Sequence, residues 1–177
     1  MKIVVITGSA HQNGTSAALA DEFIKGVSEK GHNIYRFNAG VKNVHPCIGC
    51  NHCHETDKGC VFKDDMTELN PHLLEADMIV FATPIYYYNM NAQIRCVIDR
   101  FYANDAALHK NKKAILITTM ADTSPKSAEA SNVSFTHTLE YLGWENAGIL
   151  NGIGLWKVES LDGTDYREQA YKLGQSI

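Results

Sequence analysis

Hydrophobic and polar positions follow two periods along this chain, and the places where one gives way to the other predict its elements. Residues 2–8 (KIVVITG) and 77–84 (DMIVFATP) carry runs of consecutive apolar side chains, the pattern of strands covered on both faces. Helical spacing appears at 15–31, 64–76, 90–103, 127–143 and 164–175, and further strand-like runs at 33–39, 112–120 and 144–154. The result is a strand–helix pair repeated five times, which predicts a parallel sheet with helices on both sides. The longest irregular stretch, 39–63, interrupts this rhythm. A loop of that length in a compact domain calls for a functional explanation.

In open α/β sheets ligands bind beyond the carboxyl ends of the strands, so the loops there carry the candidate chemistry. After the first strand comes TGSAHQNGTSAALA, where Gly8 and Gly14 allow tight backbone geometry and Ser9, Thr15 and Ser16 supply hydroxyls beside the start of a helix. This reads as a phosphate cradle; the plainer alternative is a helix capped by Thr15 or Ser16. It is neither G-x-G-x-x-G nor a lysine-bearing P-loop, which disfavours a dinucleotide site and an ATPase. After the third strand, ATPIYYYNMNAQIRCVIDRF places Tyr86, Tyr87 and Tyr88 in a row. They cannot all face one core, so they predict a wall for a flat aromatic ligand, a subunit interface, or both.

Composition narrows the classes. With 177 residues, 45% of them hydrophobic, the chain is predicted to form one domain with a sizeable core. Its 16 basic and 20 acidic residues give a net charge of -4 with no basic stripe, which argues against a nucleic-acid partner. The apolar start MKIVVITGSA is too short for a signal-peptide core or a membrane span, so a cytoplasmic protein without a membrane partner is expected.

That expectation bears on PCIGCNHCHETDKGCVFKDDM, where Cys47, Cys50, Cys53 and Cys60 fall within fourteen residues. In a reducing compartment clustered thiols bind metal or act in redox chemistry more often than they form structural disulfides. The spacing C-x2-C-x2-C-x6-C suits a 4Fe-4S cluster, although its last gap is longer than in ferredoxins. Zinc, with His52 or His54, and four free thiols are the alternatives. Cys96 reads as a small buried hydrophobe. Asp64 and Asp65 read as acidic residues at a helix start, favoured there by the dipole. Asp99 and Arg100 read as ion-pair or interface residues.

Taken together, GSAHQNGTS, ATPIYYYNMNAQIRCVIDR and the cysteine segment resemble, in order over residues 1 to about 120, the NAD(P)H-dependent FMN reductases and iron-sulfur flavoproteins of the flavodoxin-like superfamily. The resemblance implies a flavodoxin-like doubly wound sandwich with five parallel strands in the order 2-1-3-4-5, spanning 1–177 as a single FMN-binding domain with a cysteine-rich loop at 39–63. It implies FMN as cofactor, with Ser9, His11, Gly14, Thr15 and Ser16 at its phosphate. Thr83, Pro84, Ile85, Tyr86, Tyr87 and Asn89 would line its ring and ribityl chain, and Thr119 and Met120 match a third loop loosely. His11 stands where the family commonly has arginine, and an imidazole is less dependably charged than a guanidinium. The implied activity is oxidation of NADH or NADPH with electrons passed to a quinone, nitro or azo compound, flavin or protein. The rival is an electron carrier with a 4Fe-4S cluster on Cys47, Cys50, Cys53 and Cys60. A homodimer or homotetramer is expected, and no catalytic side chain is nominated because the cofactor supplies the chemistry.

Overall fold

A computed structural model describes residues 1–56 and 58–177; Asp57, inside the stretch 39–63, lies outside the described residues. The apolar runs form the central strands β1 (Lys2–Thr7), β3 (Met78–Tyr86) and β5 (Lys113–Thr119), flanked by β2 (Asn33–Asn38) and β6 (Glu145–Gly152). These five pair in parallel in the order β2, β1, β3, β5, β6, which is the expected 2-1-3-4-5 order of the long strands. A sixth strand that sequence periodicity does not show, β4 (Asn89–Met90), folds back antiparallel on the end of β3.

Side chains alternate across the sheet into two cores. One holds Val4, Ile6, Ile79, Phe81, Leu116 and Phe135 beneath α3 (Met66–Glu75), α4 (Ala92–Asp99) and α6 (Glu129–Leu142). The other holds Ile3, Val5, Val80, Ile115, Phe23 and Ala170 beneath α1 (Thr15–Ser28) and α7 (Tyr166–Gln175). The helices α1 and α7 meet backbone to backbone. A Cβ on Gly26 would lie 2.2 Å from the Tyr171 carbonyl oxygen, and one on Gly174 2.3 Å from that of Phe23.

Within 39–63 the described residues hold one short helix, α2 (His52–Glu55). The segment expected to be helical over 90–103 divides into α4, a 3-10 turn at Arg100–Asn104 and α5 (Asp105–Leu108). Cys96 is half-buried rather than fully enclosed, with its thiol pKa raised by burial.

Candidate functional site

The carboxyl ends of β1, β3 and β5 open into a cleft of about 820 Å³. Its floor is the turn 8–16, which stays open because three glycines let backbones approach closely. Gly8 packs against Asn91, whose Oδ1 would lie 2.5 Å from an added Cβ. Gly40, at the end of β2, sits directly under the turn, with the Ser9 carbonyl oxygen 2.0 Å from where a Cβ would be. At Gly14 the corresponding distance, to the His11 carbonyl oxygen, is 3.1 Å.

Helix α1 begins here without a side-chain cap: Gly14 is its N-cap, and its first turn carries no acidic residue. Neither Thr15 nor Ser16 serves as the cap. Thr15 instead donates its hydroxyl to Thr119 Oγ1 at 2.9 Å, tying the start of α1 to the end of β5. Inside the turn the His11 N–H donates to Ser9 Oγ and the Gly14 N–H to the His11 carbonyl. The N–H groups of Gln12, Asn13, Thr15 and Ser16 have no acceptor among the described residues. Uncapped N–H groups and an uncompensated helix dipole make an anion site, and a single phosphate fits it.

Above the floor stand Pro84, Ile85 and Tyr86 from β3, Thr119 from the end of β5 and Met120 just after it. With Ser9, His11, Gly14, Thr15 and Ser16 they make up most of the residues expected at a flavin, gathered in one cleft. Three expected residues do not line it. Thr83 is fully buried and accepts the Asn91 N–H at 3.2 Å, so its hydroxyl is engaged in the protein. Tyr87 is 99% exposed and outside the lining, while Asn89 belongs to β4.

Other residues enter that the sequence did not single out. Asn91 is the N-cap of α4; it accepts the Ile94 N–H and donates Nδ2 to the Gly8 carbonyl at 2.6 Å, joining the loop after β3 to the turn after β1. From the segment after β6, Leu155, Trp156, Lys157, Val158 and Glu159 form the outer rim, with Trp156 82% exposed. A tryptophan closely following the glycines of NGIG was the available signal.

The four clustered cysteines line a second, small pocket with Ile48, Phe62, Arg100 and Tyr102. It has about 20 Å³ of solvent-accessible space, room for a water or two. Cys53 is half-buried, and its thiol pKa is raised first by burial and then by the neighbouring Cys60, Cys47 and Cys50. Among the described residues no three His, Cys, Asp or Glu side chains converge around one ion. Thiolates sharing one zinc would lie only about 3.8 Å apart, from the Zn–S bond length and tetrahedral angle. His54 is moreover turned to the Tyr102 carbonyl, 2.8 Å from its Nε2. A cluster asks for a different arrangement, since each thiolate takes a separate iron.

Asp64 does not act as a simple helix-start acid. Its carboxylate pairs with Arg100 at 2.6 Å, accepts the His45 N–H at 2.9 Å and accepts the Met66 N–H at 3.1 Å. Both charged side chains are almost fully buried, 2% exposed for Arg100 and 6% for Asp64. Burial alone would raise the Asp64 pKa, but Arg100 and the backbone donors hold it below the ordinary carboxylate value.

Comparison with known proteins agrees with this geometry. The chain is 33% identical over 115 residues to an iron-sulfur flavoprotein of Methanocaldococcus jannaschii, covering 65% of this chain and 56% of the relative. It is 40% identical over 105 residues to an iron-sulfur flavoprotein of Archaeoglobus fulgidus, covering 59% and 53%. The chain thus spans about half the length of these curated relatives. In fold it is similar to the NAD(P)H:quinone oxidoreductase of Methanothermobacter marburgensis, with a TM-score of 0.73, 17% identity and coverage of 98% and 94%. Residues 1–143 match the family described as NADPH-dependent FMN reductase, and the chain belongs to that family.

Proposed function

We propose that the protein is an FMN-dependent oxidoreductase of one flavodoxin-like domain over residues 1–177, which takes hydride from NADPH or NADH and passes electrons to a quinone, nitro or azo compound, flavin or protein. The observation that carries this reading is the cleft itself: an uncapped helix start with free N–H groups below, and apolar and aromatic walls above. One phosphate and one flat ring are what such a site accommodates.

The N–H groups of Gln12, Asn13, Thr15 and Ser16, with the hydroxyls of Ser9 and Ser16, would hold the phosphate. His11 and Gly14 complete the turn, and Thr15 braces it through Thr119. Pro84, Ile85 and Tyr86 would flank the ring on one side and Thr119 and Met120 on the other. FMN, when bound, supplies a ring that accepts hydride and releases electrons. Ile85, Met120 and Leu155 would pack against the ring and keep water from it, while Tyr86 and Trp156 offer flat faces at the mouth. The protein's work is to position two planar partners, and no side chain is required to move a proton.

Steady-state oxidation of NADPH and NADH with a benzoquinone under anaerobic conditions tests this reading. Turnover with at least one nicotinamide is expected, lost in Ser16→Asp, which puts a carboxylate at the anion site. Flavin-loaded protein that neither nicotinamide reduces would overturn the enzyme reading.

A second reading has its own support. Cys47, Cys50, Cys53 and Cys60 line one pocket, and the relatives just described are named iron-sulfur flavoproteins. Four thiolates crowded together would repel one another, and a cationic iron centre would relieve that repulsion. On this reading the four cysteines hold a 4Fe-4S cluster that exchanges single electrons with a protein partner. The chain would work in a reducing compartment, the cytoplasm; no helix among the described residues is long and apolar enough to cross a membrane.

A further inference from the structure

The pocket of four cysteines has a charged back wall. Arg100 directly follows α4 and is almost entirely buried, with its guanidinium divided among three tasks. One nitrogen, Nη1, donates to Asp64 Oδ2 at 2.6 Å and to the His45 carbonyl at 2.8 Å; Nη2 donates to Asp64 Oδ1 at 3.2 Å. Asp64 in turn accepts the His45 N–H. His45 and Asp64 stand at the two ends of the cysteine segment, so these bonds close its neck. The third task is unfilled: Nε is buried and has no hydrogen-bond partner among the described residues.

A buried N–H without an acceptor is costly, so its persistence needs a reason. The guanidinium lines the pocket together with Cys60, and the Phe62 ring lies 5.2 Å from its central carbon. The spare donor thus belongs to the wall of a pocket that the four cysteines also line.

We propose that Arg100 is a positioning and tuning residue for an anionic sulfur centre in this pocket, its Nε–H serving a sulfur at Cys60 and its charge setting that centre's reduction potential. This rests on the reading that the four cysteines hold an iron-sulfur cluster. A reduced cluster carries one more negative charge than an oxidised one, so a nearby cation and a hydrogen bond to sulfur both favour reduction. Asp64 opposes this in part. The pair therefore fixes the potential through the difference between a near cation and a farther anion.

The geometry also relates the two sites. Helix α4 has Asn91 at its start, bonded to Gly8 beneath the cleft, and Arg100 immediately after its end, in the cysteine pocket. Its eight residues make a helix about 12 Å long that links the two sites.

The test is a potentiometric titration, followed by electron paramagnetic resonance, of anaerobically reconstituted full-length protein. Wild type, Arg100→Gln, Arg100→Lys and Asp64→Asn are compared, with iron and FMN content measured for each. Arg100→Gln is expected to shift the oxidised-to-reduced ratio about tenfold toward oxidised at fixed potential, about 59 mV for one electron. Arg100→Lys, which keeps the charge but lacks Nε–H, moves the same way by less. Asp64→Asn moves the opposite way. A residue that merely held the loop shut would, on replacement, wet the cluster in every variant and shift all of them in one direction. If Arg100→Gln fails to fold, as loss of bound FMN would reveal, the opposed shifts of Arg100→Lys and Asp64→Asn decide the matter. Wild-type protein that takes up no iron overturns both the cluster reading and this proposal. About four irons per chain with potentials unmoved, or moved alike, overturn this proposal alone.

Discussion

Arg100 and Asp64 lie 36 residues apart, and each is consistent with a plainer role when read locally. An aspartate before an apolar helix looks like a helix-start acid, and Arg100 reads as an ion-pair or interface residue whose partner the sequence does not name. Only the folded chain brings them together, in the dry interior, where removing one partner costs about 3–5 kcal/mol. Because the Asp64 pKa is held down in the folded protein, its contribution is complete above the ordinary carboxylate range near pH 4. It is lost as pH falls through the lower folded value. Thermal unfolding of wild type and Asp64→Asn should therefore differ by about 3–5 kcal/mol at pH 7, and the gap should narrow as pH falls below about 4. A gap that stays constant through that range would show that the charge on Asp64 is not what matters. Gly40 was invisible for another reason: its use is the 2.0 Å approach of the Ser9 carbonyl oxygen to its missing Cβ, a contact made by fold and not by local pattern. Gly40→Ala must displace the phosphate turn, so FMN affinity by fluorescence titration should fall at least about tenfold, with about 1–3 kcal/mol of stability lost to overpacking. Unchanged affinity would mean that the turn does not hold the cofactor.

At the scale of elements, the strands were readable because burial on both faces leaves continuous apolar runs, as in β1 and β3. The hairpin of β3 and β4 was not. Its turn is Tyr87 and Tyr88, both with positive φ, at 48° and 68°. Two-residue turns of this kind normally carry Asn-Gly, so two tyrosines there give no turn signal. Each holds a left-handed conformation that costs a side-chain-bearing residue about 1–2 kcal/mol. Tyr87 is 99% and Tyr88 61% exposed, so contacts within the chain do not repay that cost. Replacing the pair with Asn-Gly should raise the stability of the isolated chain by about 1–2 kcal/mol in urea titration. The same replacement should weaken self-association if the rings are kept for a neighbouring subunit. Loss of stability instead would show that the tyrosines pack within the chain.

Across the whole molecule, Tyr86, Tyr87, Tyr88 and Trp156 place exposed aromatic surface beside one opening, next to the rim of the cleft. Such surface on one edge is a reason to expect a homodimer or homotetramer, and light scattering should give about two or four times the 19.6 kDa chain mass. A 19.6 kDa species that retains FMN would contradict this assembly. The cleft lies where the strand order predicts it, since the neighbouring strands β1 and β3 are followed by helices on opposite faces of the sheet, α1 and α4. Its rim at 155–159 falls beyond residue 143, outside the part of the chain that matches the family, and sequence resemblance had nothing to say of it. The central claim is that the turn 8–16 and the walls above it hold FMN. It is tested most directly by purifying the full chain, denaturing it and identifying the released flavin by chromatography. One FMN per chain is predicted, with no FAD, because the cleft has a single anion site. A colourless protein that also fails to bind added FMN would contradict the account.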